Sequence, residues 1–399
     1  MHKIESSKKL KEIMSDYFVG MGVPGKKFAW CTSVGPAELL RSFGFEVYFP
    51  ENHGALLGTT RTCHDFIPVA AEIGYSSDIC SYLTSDIGSY ISKNTPLMKH
   101  YGLEGVPKPD ILVYNTNQCR EVQDWFTYFA REFNCPIVGI QSPRYLDLVK
   151  KEDIENVTSQ FKALIPYCEE TSGTKFDIDS FRETLKLSRE ATNLWKKSLE
   201  TAKHIPAPIS FFDSTIHMGP IVVLRGTQVA KDYYAELSNE LDGYVARGSG
   251  IIEKEQIRVY WEGMPIWGKL RYMSDLFSNN NAAVVASTYC NSWVFDAFDE
   301  TNPFESSALA YSSIFINRSE NVKTEMMIKL IEEYKIDGVV FHDSKTCFNN
   351  TNSRFGMPQR LKESTSVDTL IIEGDLCDLR FFSEAQTTTK IETFIEQMK

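Results

Sequence analysis

Two stretches of the sequence share one pattern and indicate the fold: ILVYNTNQC at residues 111–119 and VVFHDSKTC at residues 339–347. Each begins with a run of apolar, β-branched and aromatic residues, which is the composition of a buried strand. Each then turns polar and ends in a cysteine, Cys119 in the first stretch and Cys347 in the second. Ligands of an open α/β sheet bind beyond the carboxyl ends of its strands. The pattern therefore predicts that both thiols lie where such a fold places its chemistry.

A third cysteine, Cys80, lies upstream in the polar segment SSDICSYLTSDIG. Thiolates are the ligands that iron–sulfur clusters favour, and three of them leave one iron of a [4Fe–4S] cluster open to water or substrate. Our hypothesis is that Cys80, Cys119 and Cys347 meet at one sheet edge. The alternative is that they are small buried apolar residues, as isolated cysteines often are.

Strand-like and helix-like segments alternate in two parts of the chain, which predicts two α/β lobes with parallel sheets. We expect a helical N-terminal segment at residues 1–26, a first lobe at 27–150, a helical connector at 151–250 and a second lobe at 251–399. The predicted strands are residues 27–31, 46–49, 111–115, 136–140, 256–263, 282–287, 337–341 and 369–373. The connector is expected to hold long helices at 153–166, 178–204 and 220–247.

Composition excludes several classes of protein. The 399 residues are 42% hydrophobic, and 42 basic against 53 acidic residues give a net charge of −11. No basic patch stands out, so a nucleic-acid partner is not expected. The sequence has no secretory signal and no apolar run long enough to cross a membrane. We therefore expect a cytoplasmic protein with no membrane partner.

The nine cysteines include no C-x-x-C pair, so zinc ribbons and thioredoxin-like sites lose their usual support. The P-loop pattern G-x-x-x-x-G-K-[ST] does not occur, so any ATP needed would be hydrolysed by another chain. Glu51, Asn52 and His53 follow a predicted strand in the segment PENHG. They are either part of a site at the strand end or an ordinary turn.

An ordered set of motifs carries a resemblance that no single motif would carry. The motifs are WCTSVGPAELLRSFG, VYFPENHG, DICSYLTSDIG, KPDILVYNTNQC, IHMG, LRGTQ, WEGMPIW, DGVVFHDSKTC and EGDLCDLRFFSEAQTTTKIETF. From about Phe28 to the C-terminus, the chain resembles the 2-hydroxyacyl-CoA dehydratase family. That family also contains subunits of ATP-dependent benzoyl-CoA reductases.

The resemblance implies two flavodoxin- or Rossmann-like lobes with a [4Fe–4S] cluster between them. By motif position, Cys80, Cys119 and Cys347 match the cluster ligands. Ser33 and Glu51 match a serine and a glutamate next to the open iron in the subunit that contacts substrate. Dehydratases of the family reduce the thioester of a 2-hydroxyacyl-CoA to a ketyl radical, expel the hydroxyl group, lose a proton and return the electron.

The resemblance also implies an acyl-CoA substrate, a homologous second subunit or a self-dimer, and a separate ATP-hydrolysing iron–sulfur activator. The lead interpretation is a lyase, the iron–sulfur subunit of an (R)-2-hydroxyacyl-CoA dehydratase. One alternative is an oxidoreductase subunit of the benzoyl-CoA reductase type. Another is a non-catalytic electron relay or accessory protein.

Two segments match the family weakly, residues 299–322 and the stretch FNNTNSRFGMPQRL after Cys347. We expect both to line the acyl pocket, which leaves the acyl group open. Arg225, Lys269 and Arg271 are candidate partners for CoA phosphates. A solvated surface position is the favoured interpretation for each.

Overall fold

A computed structural model describes residues 3–399. The first sheet has four parallel strands in the order β2-β1-β3-β4. Their bounds are β1 Phe28–Cys31, β2 Glu46–Tyr48, β3 Ile111–Asn115 and β4 Ile137–Ile140. β1 pairs with both β2 and β3, so it lies inside the sheet. Because all four strands run the same way, their carboxyl ends form one edge.

The second sheet repeats this arrangement with the order β6-β5-β7-β8, again all parallel. Its strands are β5 Ile257–Glu262, β6 Ala282–Ser287, β7 Gly338–Ser344 and β8 Asp368–Gly374. This is the beginning of the flavodoxin-type strand order, whose ligands bind where the order reverses, here between β1 and β3 or between β5 and β7. The predicted fold of two parallel-sheet lobes is confirmed.

Helices surround both sheets. Those of the first lobe are α1 Ser7–Gly20, α2 Ala37–Ser42, α3 Pro50–Thr59, α4 Cys63–Glu72, α5 Ser81–Ile91, α6 Pro96–Tyr101 and α7 Glu121–Phe133. Between the sheets lie α8 Lys151–Ser172, α9 Ile178–Glu200, α10 Phe211–His217, α11 Gly219–Val223 and α12 Gln228–Ala246. The second lobe has α13 Leu270–Asn279, α14 Thr288–Asn291, α15 Pro303–Ser312, α16 Glu320–Glu333, α17 Met357–Thr365 and α18 Glu384–Met398.

One apolar core joins both sheets to the helices between them. It contains residues of β1, β3, β5 and β7 together with residues of α8, α9 and α12. Burial of apolar surface on this scale is the main force that holds the two lobes in a fixed relation. The edges of the two sheets are therefore held together across a common cleft.

The helical segment predicted at 220–247 is two helices rather than one. α11 and α12 are separated by a turn in which Gly226 has a φ of +81°. A residue with a side chain rarely adopts this conformation, so the glycine allows the chain to turn there. Thr227 then begins α12, because its side chain accepts a hydrogen bond from the backbone of Ala230.

The polar segment around Cys80 contains a helix that the sequence analysis missed. α5 begins directly after Cys80, and most of its residues are buried although many are polar. The helix packs so closely on α4 that a Cβ added to Gly88 would collide with the carbonyl oxygen of Phe66. Only glycine permits this approach of the two helices. The close packing of α4 and α5 therefore holds Cys80 in place at the N-terminus of α5.

Residues 3–399 include no helix with both the length and the apolar character needed to cross a membrane.

Candidate active site

A cavity of about 140 Å³ lies between the two sheets, at the carboxyl ends of their strands. All five residues singled out from the sequence line it: Ser33, Glu51, Cys80, Cys119 and Cys347. They come from both lobes and are separated by up to several hundred positions in the chain. The structure thus brings the three thiols together at one cavity, as predicted. Their roles stay predictions.

Local structure explains the position of each thiol. Cys119 follows β3 by four residues and Cys347 follows β7 by three, so both lie just past the carboxyl end of a central strand. Cys80 follows no strand and is instead the residue immediately before α5. Cys80 and Cys119 thus belong to the first lobe and Cys347 to the second. A group bound to all three would bridge the lobes.

The three cavity thiols differ from most of the other cysteines in exposure. All nine cysteines are free, and five of them are buried. Cys80, Cys119, Cys347 and Cys135 are partly exposed, and of these four only Cys135 does not line the cavity. Burial raises the pKa of each cavity thiol well above the usual range of a cysteine. The neighbouring thiols and the Glu121 carboxyl group raise the pKa further. On their own they are neutral thiols, and a soft metal centre would deprotonate them.

Glu51 is the acidic residue among the five lining residues that the sequence singled out. It lies in the first turn of α3, directly after β2, so the segment PENHG is a helix start and not a turn. Its Oε1 accepts hydrogen bonds from the backbone N–H of Ser33 at 2.9 Å and from Nε2 of Gln118 at 3.1 Å. Its Oε2 is buried and has no partner among the residues that the structure describes.

Burial raises the pKa of Glu51 from 4.5 to about 7, against the lowering effect of its hydrogen bonds to Ser33 and Gln118. A carboxyl group with a pKa near 7 can both take up and release a proton at neutral pH, which is the property a general base or acid needs. The free Oε2 supplies the atom at which the proton would be held. Glu51 is therefore suited to proton transfer inside the cavity.

A second buried carboxyl group, Glu262, lines the same cavity but is fully engaged. Its Oε2 accepts hydrogen bonds from Thr288 and from the backbone N–H of Gly263, and its Oε1 accepts one from Asn352. Burial raises its pKa as well. Because both oxygens have partners, Glu262 is held as part of the cavity wall. The other two carboxyl groups of the lining, Glu51 and Glu121, each keep a buried Oε2 with no partner among the described residues.

His53, the third polar residue of the PENHG segment, does not reach the cavity. Its Nδ1 contacts a carboxylate oxygen of Asp86 at 2.5 Å, and its Nε2 contacts the hydroxyl of Thr95 at 2.7 Å. The other oxygen of Asp86 accepts a hydrogen bond from Nε1 of Trp125 at 2.8 Å. This buried network joins α3, α5 and α7, and its role is structural.

The remaining walls are mostly apolar. Ile314 and Ile316 come from one weakly matching segment, and the polar Asn349 and Asn350 come from the other. Both segments thus contribute to this cavity, and its role as the acyl pocket stays a prediction. Further apolar wall residues, which the sequence analysis did not single out, are Val34, Val122, Trp125, Met264, Trp293 and Leu376. Nothing in the sequence distinguishes these six residues from ordinary core residues.

A second, larger cavity of about 410 Å³ adjoins the first. The two share the lining residues Ser33, Glu51, Tyr82, Tyr289 and Trp293, so they meet at Glu51. The walls of the second cavity come from α1, α3, α10, α11 and the start of α13, and they are mostly apolar.

Among described residues, Lys11 is the single basic residue in the lining of either cavity. Lys11 and Ile216, a second lining residue, are both exposed. The second cavity therefore connects the site to the surface of the protein.

Within residues 3–399, no three His, Cys, Asp or Glu side chains are grouped closely enough to hold a single metal ion. A cluster makes a different demand, because each thiolate binds its own iron and the three sulfurs surround the inorganic core. Three soft thiols that line one cavity are the donor set that such a cluster takes. The residues present thus fit a [4Fe–4S] cluster and do not fit a mononuclear site.

Comparison with known proteins agrees with this arrangement. The family model described as 2-hydroxyglutaryl-CoA dehydratase, D-component, matches residues 32–398 of the chain. This chain belongs to that family. The matched range includes every strand except β1, which ends just before it, and all five residues singled out above.

Relatives within the family include both dehydratases and a reductase. The (R)-2-hydroxyisocaproyl-CoA dehydratase alpha subunit of Clostridioides difficile is 30% identical over 94% of this chain and 91% of its own length. The (R)-phenyllactyl-CoA dehydratase alpha subunit of Clostridium sporogenes is 28% identical over 94% and 90%. A benzoyl-CoA reductase subunit of Thauera aromatica is 30% identical over 90% and 86%. The predicted membership of an enzyme family with lyase and reductase members is confirmed.

The expected surface position of the CoA-phosphate candidates is right for one of them and wrong for another. Arg271 is 93% exposed. Lys269 pairs with Glu384 and contacts Tyr272 and Phe382. Arg225 is fully buried and paired with Glu38, so it is neither a surface residue nor able to reach a phosphate.

Proposed function

We propose that this chain is the iron–sulfur, substrate-handling subunit of a 2-hydroxyacyl-CoA dehydratase, which removes water from an (R)-2-hydroxyacyl-CoA. One observation carries the proposal. Three thiols, a serine and a glutamate with a raised pKa line one largely apolar cavity between two sheets, in a chain of this family. The one-electron route through a ketyl radical, which the family resemblance implies, is part of the proposal.

Cys80, Cys119 and Cys347 would hold a [4Fe–4S] cluster as thiolates. When bound, the cluster would deliver a single low-potential electron to the substrate and take it back after water has left. Ser33 and Glu51, at the same end of the cavity, act on orientation and on protons. Overall the substrate loses hydroxide from C2 and a proton from C3, so an enoyl-CoA and water form without net use of electrons.

Glu51 would take the proton from C3 at its free Oε2. Electron delivery makes this C–H group more acidic, so a carboxylate whose conjugate acid has a pKa near 7 is a strong enough base. Ser33 is buried beside it and donates its backbone N–H to Oε1, and its hydroxyl group would orient the thioester oxygen or the departing hydroxyl group. The apolar walls keep solvent away from the reactive intermediate.

The second cavity supports a path for the rest of the substrate. Its apolar walls suit the pantetheine arm of an acyl-CoA, and it leads from Glu51 to Lys11 at the surface. The ADP end of CoA carries several negative charges, and the chain itself has a net charge of −11. A cation at the mouth is therefore needed to offset repulsion. We propose that Lys11 contacts a phosphate of CoA.

We expect Lys11→Glu to raise KM for the acyl-CoA on the order of threefold to tenfold and to leave kcat within about twofold, because an exposed ion pair contributes up to about 1 kcal/mol. The same substitution should have little effect on an acyl-pantetheine substrate, and the KM difference should shrink at high salt. Lys9→Glu is the matched control, since Lys9 is exposed on the same helix but lines neither cavity. Equal effects of the two substitutions would contradict this path.

The proposed partners follow from the relatives and from the absence of a P-loop motif in the sequence. The dehydratase relatives are named alpha subunits, so each is one part of a larger enzyme. We propose that this chain works with a homologous second subunit or with a second copy of itself. Because its sequence has no P-loop, the ATP-dependent supply of electrons is assigned to a separate iron–sulfur activator.

A reductase of the benzoyl-CoA type is the second candidate, since the reductase relative is as similar to this chain as the first dehydratase is. Product analysis under anaerobic conditions separates the two. A dehydratase gives an enoyl-CoA with catalytic electrons only, whereas a reductase gives a dearomatised ring with two electrons consumed for each product. If no acyl-CoA is turned over and none perturbs the cluster spectrum, an electron relay or accessory protein is the correct assignment.

A further inference from the structure

A single buried carboxylate, Asp375, connects the segments that carry two of the three cavity thiols. It follows β8 directly and is fully buried. Its Oδ1 accepts a hydrogen bond at 2.5 Å from the hydroxyl of Ser81, the residue after Cys80. Its Oδ2 accepts from the backbone N–H of Thr346 at 2.8 Å and from the hydroxyl of Thr346 at 2.6 Å. Thr346 immediately precedes Cys347.

The network is closed by four more hydrogen bonds. Oδ1 of Asp375 also accepts from the backbone N–H groups of Cys377 at 3.1 Å and Asp378 at 3.0 Å, and Oδ2 accepts from the hydroxyl of Ser344 at 3.4 Å. The Thr346 hydroxyl accepts from the backbone N–H of Ser81 at 3.0 Å. The first turn of α5 in one lobe and the loop after β7 in the other are thus bonded to one anion and to each other. Buried networks in which every group is satisfied hold their members in one arrangement.

We infer that Asp375 is a positioning residue that fixes Cys80 and Cys347 relative to each other across the two lobes. It touches neither sulfur and acts through Ser81 and Thr346. The inference rests on the proposed function only in taking these thiols as cluster ligands. Cys119 is held separately, by the loop that continues β3, so the network sets one of the two thiol spacings that span both lobes.

The chemistry of the network calls for a carboxylate. Six donors converge on its two oxygens, and hydrogen bonds to a charged acceptor are stronger than those between neutral groups. An asparagine has the same shape but offers one acceptor oxygen and turns an NH2 group towards groups that also donate. Asp375→Asn should therefore leave the fold in place and loosen the link between the two thiol-bearing segments.

The test is iron retention in the full chain, loaded with its cluster under anaerobic conditions and without substrate. We expect Asp375→Asn to release iron to a ferrous chelator about 10- to 100-fold faster than wild type, the range seen when groups that orient metal ligands are altered. The EPR signal of the reduced cluster should broaden as well. Asp378→Asn is the matched control, because Asp378 is equally buried in the same turn but its side chain binds Arg380. That variant should release iron within about twofold of wild type.

Thr346 provides a second test in case Asp375→Asn does not fold. Thr346→Val removes the hydroxyl and should speed iron release, and Thr346→Ser keeps the hydroxyl and should restore retention. Wild-type retention in both Asp375→Asn and Thr346→Val would overturn the inference and leave the proposed function untouched. A wild-type chain that binds no iron would overturn both. A wild-type chain that retains its iron but turns over no acyl-CoA would count against the proposed function alone.

Discussion

Replacement of Glu51 by glutamine is expected to lower turnover of the acyl-CoA substrate by about 10²- to 10⁴-fold, the usual contribution of a positioned acid or base. The amide keeps the shape of the side chain, and its oxygen can still accept from Ser33 and Gln118. It cannot accept a proton at the position of Oε2. Cluster content and KM should therefore change little, while kcat falls. Anaerobic steady-state kinetics with iron content measured on the same samples is the test.

The pH dependence adds a second signature of Glu51. A base must be ionised, so kcat of the wild type should rise with pH through an inflection at about 7. In the glutamine variant the residual rate should lack this inflection. Glu46→Gln is a suitable control, since Glu46 is on the neighbouring strand and pairs with Lys26 at the surface.

The raised pKa of Glu51 also predicts how the stability of the fold changes with pH. Its pKa is higher in the folded chain than in the unfolded one, so its contribution to stability is fully present below pH 4.5 and is lost as the pH rises to about 7. Relative to the glutamine variant, the wild type should therefore lose stability across this window.

Normal turnover of Glu51→Gln with an intact cluster would remove Glu51 as the base.

Replacement of Arg225 by methionine is expected to lower the free energy of unfolding by about 3–5 kcal/mol, the cost of leaving a buried charge without its partner. The guanidinium group is fully buried and pairs with Glu38 at 3.2 Å. It also donates to the carbonyl oxygens of Gly35 at 2.9 Å and Val222 at 2.8 Å. Gly35 is two residues from Ser33, so the pair supports the turn that carries the serine.

Denaturant unfolding of the cluster-free chain measures this effect. The double variant Arg225→Met with Glu38→Gln should recover part of the loss, because neither charge is then left alone. Arg271→Met is the control, since Arg271 is 93% exposed and should change stability by no more than about 0.5 kcal/mol. A loss below about 1 kcal/mol for Arg225→Met, together with a raised KM for CoA substrates, would return Arg225 to the role of a phosphate ligand.

The sheets could be predicted because their strands carry a strong local signal. β3 and β7 are continuous apolar runs followed by polar residues, and parallel strands buried on both faces produce this pattern. From there the position of Cys119 and Cys347 follows, since each lies a few residues past a strand. The two sheets also share the same strand order.

α5 could not be predicted, because its polar residues are buried by contacts that come from elsewhere in the fold. Ser81 binds Asp375, Asp86 binds His53 and Trp125, and the partners lie up to 294 positions away in the chain. A polar segment in isolation indicates solvent exposure. The position of Cys80 at the start of a rigid helix depends on these distant partners, so the motif resemblance could name Cys80 but not explain it.

The buried Arg225–Glu38 pair illustrates the same limit. Arg225 is in the motif LRGTQ, and arginine is almost never fully buried unless paired. Its partner is 187 positions earlier, on α2, and nothing near either residue in the sequence indicates the pairing. A surface position was therefore the natural expectation, and it was wrong.

The measurement that tests the central claim most directly is iron and sulfide content with EPR on anaerobically purified protein. Wild type is compared with Cys80→Ser, Cys119→Ser, Cys347→Ser and, as the control, Cys135→Ser. Cys135 is partly exposed like the other three but does not line the cavity. We predict about four irons per chain in wild type and in Cys135→Ser, and loss of the cluster in each of the other three variants. Iron that is absent from wild type after reconstitution, or that is retained in all three cavity variants, would contradict the account.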